Sequence, residues 1–141
     1  MAGYSGTPLV QKLGIKPGHR ISTLNEPASF DKALGALPDG AALVGSTAKN
    51  VDVIVAFESA LKDFRKHLPV LVNRIQTDGM IWIAWPKKAS GVTTDVGEDE
   101  IRAVALKLGL VDIKVCAIDE TWSGLKLVIR KENRTKAAKQ K

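Results

Sequence analysis

Two short segments constrain the fold more than any other part of the chain: residues 51–57, VDVIVAF, and residues 80–85, MIWIAW. Each is nearly continuous in aliphatic, β-branched and aromatic residues over the length of a strand, so each reads as a strand buried on both faces, the condition of strands inside a parallel sheet. Between them Leu61, Phe64, Leu68, Leu71, Val72 and Ile75 recur at three- and four-residue intervals, the period of a helix with one apolar face. Ser59 stands where a cap for that helix belongs, and Pro69 is expected to kink or divide it. Strand, helix and strand in that order form a right-handed crossover unit.

Other elements extend this unit on both sides. Residues 7–14, TPLVQKLG, predict a short helix with Thr7 as cap, Pro8 in the first turn and Gly14 as the stop. After the Lys16-Pro17-Gly18 turn, residues 19–24 read as a first strand, residues 27–34 as a short helix closed by Gly35, and residues 41–44 as a short strand. A six-residue connector, 45–50, reaches at most about 20 Å, which would be tight for a full crossing of the sheet. Asp78-Gly79 is expected to turn the chain into the second buried strand, and Pro86 to end it. Residues 87–97 read as a polar loop. Glu98-Asp99-Glu100 then open a helix whose dipole favours acids there, with Ile101, Val104, Ala105 and Leu108 inward and Gly109 as its end. Residues 111–119 and 125–131 predict two strands around a Ser123-Gly124 turn. The fold class expected is α/β: a Rossmann-like three-layer domain spanning residues 1–131, with a mainly parallel sheet of about six strands and an antiparallel C-terminal strand.

Composition narrows the function classes. The chain has 141 residues, 45% hydrophobic and 26% charged, with a net charge of +6. Residues 130–141 carry six basic residues against Glu132, or +5, so the other 129 are nearly neutral. The charge therefore reads as a basic, flexible tail at 132–141, and only that tail suggests a nucleic acid. The single cysteine, Cys116, allows no internal disulfide and no zinc cluster. Without a long apolar run or a signal-like N-terminus, the expectation is a cytoplasmic protein with no membrane partner.

Three segments carry a resemblance: KLGIKPGHR near the start, WPKKASGV in the middle and VCAIDETWSGLKLVIRK near the end. Together they resemble a family of small bacterial proteins known only as a domain of unknown function, over nearly all of residues 3–131. The order of elements in the second half also resembles the C-terminal half of class I S-adenosylmethionine-dependent methyltransferases. That second likeness implies a glycine-rich turn after the first strand, where backbone approaches the cofactor, and an acid after the second to hold a ribose. This chain has Asn25-Glu26-Pro27 at the first place and Gly45-Ser46-Thr47-Ala48 at the second.

Ligands of open parallel sheets gather beyond the carboxyl ends of the strands, so the candidate ligand-binding residues are Asn25, Glu26, Lys87, Lys88, Ser90, Asp95, Asp119, Glu120 and Trp122, with Glu58 at the end of the third strand and Thr121 in the last turn on the same rim. Lys87, Lys88 and Ser90 beside Gly91 could cradle an anion, although adjacent loop lysines are more often solvated or paired with carboxylates. Asp119 and Glu120 could divide acid and base roles, but strand neighbours point apart, which favours a turn or ion-pair role. Trp122 could stack a ring or pack over the hairpin. Cys116 lies in an apolar strand without an activating base, and His19 and His67 have no metal-ligand spacing, so no metal site and no catalytic residue is assigned. The expected function is a non-catalytic binding or regulatory domain, without a cofactor, for a small anionic ligand or a protein partner. The alternatives are an atypical S-adenosylmethionine-dependent methyltransferase and a nucleic-acid accessory protein acting through the tail.

Overall fold

A computed structural model describes residues 8–133. Across them, six strands form one sheet in the order β2-β1-β3-β4-β6-β5: β1 Arg20–Leu24, β2 Ala42–Leu43, β3 Val51–Phe57, β4 Ile75–Pro86, β5 Leu110–Ala117 and β6 Trp122–Ile129. The first four run parallel, and β6 lies antiparallel between β4 and β5. Helices α1 Leu9–Lys12 and α2 Phe30–Leu34 cover one face, while α3 Leu61–Val72 and α4 Glu98–Lys107 cover the other. The architecture is the three-layer α/β fold expected.

The two apolar runs became the centre of the sheet because every second residue has somewhere to go on either side. Ile54, Ala56, Ile81 and Ile83 meet Phe64, Leu68, Ile101 and Ala105 of α3 and α4. Val53, Val55, Phe57 and Trp82 meet Leu9, Leu13, Phe30 and Leu34 of α1 and α2. Trp82 is fully buried and its indole Nε1 donates to the Leu13 carbonyl at 2.9 Å, so the polar atom of this large ring is satisfied inside the core.

Several boundaries differ from expectation for identifiable reasons. The cap expected from Ser59 is supplied by Asp95, whose Oδ1 accepts from the Leu61 amide at 2.7 Å across 34 residues of chain. Ile75 and the Asp78-Gly79 pair belong to β4, which begins with a register shift against β3 between Val51 and Val53. Pro69 lies inside α3. Ser123 and Gly124 are strand residues of β6, and the chain reverses at 118–121, where Asp119 Oδ1 accepts from the Thr121 and Trp122 amides, both at 2.8 Å. Gly124 is closely packed: a Cβ there would lie 3.0 Å from Ile118 Cδ1 and 3.2 Å from the Trp82 ring. The Thr7 cap and residues 134–141 of the basic tail lie outside the described residues.

The tight connector is accommodated by stagger. Strands β2 and β3 both pair with β1, and Ile21 of β1 stands level with Leu43 on one side and Val53 on the other. The connection therefore passes beneath one strand, about 10 Å sideways, and needs to retreat only from Leu43 to the level of Val51. Asn50 completes it in the left-handed region, at φ 57°.

Candidate functional site

The strand order reverses between β1 and β3, so the crevice beyond Leu24 and Phe57 is where this fold receives a ligand. Asn25 stands there at φ 57°, a left-handed conformation that asparagine tolerates better than most residues. Its Nδ2 donates to the Phe57 carbonyl at 3.4 Å, so the side chain bridges the ends of the two strands. Beneath it the Phe57 ring meets Phe30 edge-on at 5.1 Å and Trp122 edge-on at 5.0 Å. Trp122 is thus engaged in the packing of the hairpin end against α2, the second of its two readings.

The loop after β2 is equally committed. Arg74, buried among core residues, donates from Nε to the Ala48 carbonyl at 2.8 Å and from Nη2 to Ser22 Oγ at 2.7 Å and the Gly45 carbonyl at 3.1 Å. Ser22 in turn donates to Gly45 at 3.2 Å. Burial lowers the pKa of this guanidinium, which is held by carbonyl and hydroxyl oxygens. Residues 44–48 contain no carboxylate. A bridging asparagine at the first turn and an arginine-bound, acid-free loop at the second do not fit the two roles that S-adenosylmethionine binding asks of these positions.

The other candidates divide between two depressions on the same rim. One, about 360 Å³, is lined by Ser29, Lys32, Ala33, Asp119, Glu120 and Thr121. The other, about 660 Å³, lies over the starts of α3 and α4 and includes Trp85, Lys88, Asp95, Glu98 and Glu100. The Lys87 amide donates to the Thr121 carbonyl at 2.8 Å, so the loop after β4 and the β5–β6 turn do share one rim. Ser90 is occupied within its own turn, donating to the Lys87 carbonyl at 2.6 Å and accepting from the Val92 amide at 3.2 Å. Glu26 is exposed beside Asn25. Asp95 caps α3, and Asp119 organises its turn. Asn25 and Glu26 stand at the crevice itself, and the remaining candidates surround it.

Sequence reasoning left one pair unassigned. Glu58, first residue after β3, is 1% exposed, and His67 Nδ1 lies 2.8 Å from its Oε2 and 3.1 Å from Oε1. Burial raises the Glu58 pKa, the hydrogen bond and charge of His67 oppose that rise, and Asp63 adds to it. The alternation 54, 56, 58 was the available signal, since it aims Glu58 at α3. Cys116 is half-buried with its thiol pushed up by burial, consistent with a packing role. His19 accepts from the Lys16 amide at 3.1 Å. Among the described residues no group of three or more His, Cys, Asp or Glu is placed to hold a metal, and no helix is long and apolar enough to cross a membrane.

The strand order and layers define a Rossmann-like α/β fold, similar to that of methyltransferases. Similar solved structures include a SAM-dependent methyltransferase from Aquifex aeolicus, at 15% identity and TM-score 0.56, covering 86% of this chain and 88% of that one. A fibrillarin pre-rRNA processing protein from Methanococcus jannaschii matches at 13% identity and TM-score 0.59, over 87% and 69%. Magnesium protoporphyrin IX methyltransferase from Synechocystis with bound SAH matches at 10% and 0.58, over 86% and 78%. These likenesses establish the fold. No curated protein matches the sequence. The chain belongs to the family described as "Protein of unknown function (DUF3052)", whose model matches residues 10–131.

Proposed function

We propose that this chain is a binding or regulatory domain that has kept the methyltransferase-like fold without its chemistry, and that its carboxyl-end rim engages a protein partner. The observation that carries this reading is the Asn25 amide spanning β1 and β3 at the point where a cofactor of this fold would approach backbone. The rim supports a protein partner over a small anion. Lys32 and Lys88 share their depressions with Asp119 and Glu120 in one, and Asp95, Glu98 and Glu100 in the other, so an isolated phosphate would meet more carboxylates than ammonium groups. A basic peptide surface suits that balance better.

The competing reading is an atypical methyltransferase, favoured by similar structures whose names specify SAM dependence or bound SAH. Isothermal titration calorimetry of the purified chain with S-adenosylmethionine and S-adenosylhomocysteine separates the two. The binding reading expects no saturable heat with either. Micromolar binding, about −8 kcal/mol, requires a formed pocket and would overturn it.

A further inference from the structure

The β5–β6 pair carries a charge pattern that neither depression uses. In the antiparallel β5–β6 pair, Lys114 and Lys126 are direct partners, so their side chains leave the same face of the sheet. It is the face on which Cys116 packs beside α1. Lys16, just beyond α1, is close enough to act on Lys126 electrostatically. Among the described residues none of Lys16, Lys114 and Lys126 has a carboxylate within ion-pair distance, whereas Asp112 of the same strand is taken by Arg102 at 3.1 Å. Like charges directly opposed across two strands destabilise the pair. Burial, followed by Lys114 and then Lys16, lowers the Lys126 pKa. A fold that retains this repulsion gains when an anion lies across it.

The surroundings identify the kind of anion. Lys16 and Lys114 are exposed and Lys126 half-exposed, and none of the three lines either depression. Small oxyanions favour concave sites with convergent donors, whereas a phosphodiester backbone needs only a line of positive charge on an open surface. Strand β5 is the sheet edge, so its outward amide groups are also available to phosphate oxygens. The chain leaves the described fold next to that edge: Asn133 Nδ2 donates to the Gly109 carbonyl at 3.2 Å, immediately before β5. Its sequence continues with Arg134, Lys136, Lys139 and Lys141.

We infer that the β5–β6 face bearing Lys16, Lys114 and Lys126 is a nucleic-acid surface that contacts the phosphate backbone without reading sequence. The test is fluorescence anisotropy of a short labelled DNA duplex with the full-length chain across a salt series, with inorganic pyrophosphate as a second probe. Loss of two lysine–phosphate contacts in the Lys114→Gln, Lys126→Gln double variant reduces the slope of log affinity against log salt by about 1.8 and weakens low-salt binding about tenfold or more. The same decrement is expected when Arg134, Lys136, Lys139 and Lys141 are all glutamine, which separates the sheet face from the tail. Thermal unfolding of the double variant should be at or above that of the parent, since an opposed like-charge pair is removed. If it falls below, the exposed Lys114→Gln variant alone should still lower the slope by about 0.9. An unchanged slope, binding lost only with the tail residues, or lysine-dependent pyrophosphate binding without duplex binding would overturn the assignment.

Discussion

At Gly79 an added methyl group would meet backbone on three sides. A Cβ there would sit 3.0 Å from the Gln76 carbonyl oxygen and 3.1 Å from those of Asp52 and Val51, three backbone atoms fixed by the β3–β4 register shift. Gly79→Ala is expected to lower unfolding free energy by about 1–3 kcal/mol in urea titrations, as overpacking of a rigid site does. Glu58 makes a prediction of the opposite kind, expressed in pH. Its folded pKa is raised by burial above the ordinary value near 4.5. From about that pH upward the folded chain holds a proton the unfolded chain has released, so Glu58's contribution to stability falls until the folded carboxyl also ionises. Urea midpoints of the parent chain relative to Glu58→Gln should therefore decline as pH rises from 4.5; a difference that is flat or increases with pH would refute the assignment. Of the two, only Glu58 had a sequence signal, the strand alternation that aims it at α3. Asp78-Gly79 carries the signature of a turn, and only the pairing of Val51 with Ile75 and of Val53 with Met80 turns that signature into a bulged strand. His67 offered no metal-ligand spacing, and its actual partner is set by sheet alternation nine positions away.

At the level of elements, periodicity carried the information and long-range capping did not. The VDVIVAF and MIWIAW segments announced central strands because burial on both faces leaves no alternation to misread. The helix between them was readable from its apolar spacing, yet its start was not, because Asp95 reaches it from the loop before α4. That arrangement makes the loop and α3 one unit: Thr94 Oγ1 also donates to the Ser59 carbonyl at 2.7 Å. Asp95→Ala is expected to cost about 1 kcal/mol, the usual loss for an N-cap, with Asp95→Asn recovering most of it. Equal losses in both variants by chemical denaturation would mean that the carboxylate contributes through something other than the cap. The closing turn was misplaced by the same kind of blindness. Ser123-Gly124 has turn composition, but the glycine answers to Ile118 and Trp82 packed against it, while Asp119 supplies the turn. Among the candidate residues, then, Asp95, Asp119 and Ser90 were found for their position on the rim, and hydrogen bonding gives each a local structural task.

Over the whole molecule, the weakest joint lies between the two-residue strand β2 and the rest of the sheet. Only two register pairs hold β2 to β1, against six between β3 and β4. The connector that follows β2 is held at Gly45 by Ser22 and, more widely, by Arg74, which stands just before β4 and donates to the carbonyls of both Gly45 and Ala48. One side chain thus ties the β1–β2 edge to the centre of the sheet, a tertiary link between residues 26 to 52 positions apart that no local pattern encodes. Replacing it with methionine keeps an apolar stem of similar reach but removes the charged donor to the Ala48 and Gly45 carbonyls and to Ser22, at a cost of about 1–3 kcal/mol. The loss should also be local. The Ala42 amide, bound to the His19 carbonyl at 3.0 Å, and the Val44 amide, bound to Ile21 at 2.7 Å, should exchange with solvent far faster in Arg74→Met than in the parent chain. The Val53–Ala56 amides should lose protection only by the amount of the global destabilisation, because their ladder with β4 does not pass through Arg74. Uniform loss across both groups would mean that the edge and the centre unfold together, and that Arg74 stabilises the core as a whole rather than fastening its edge.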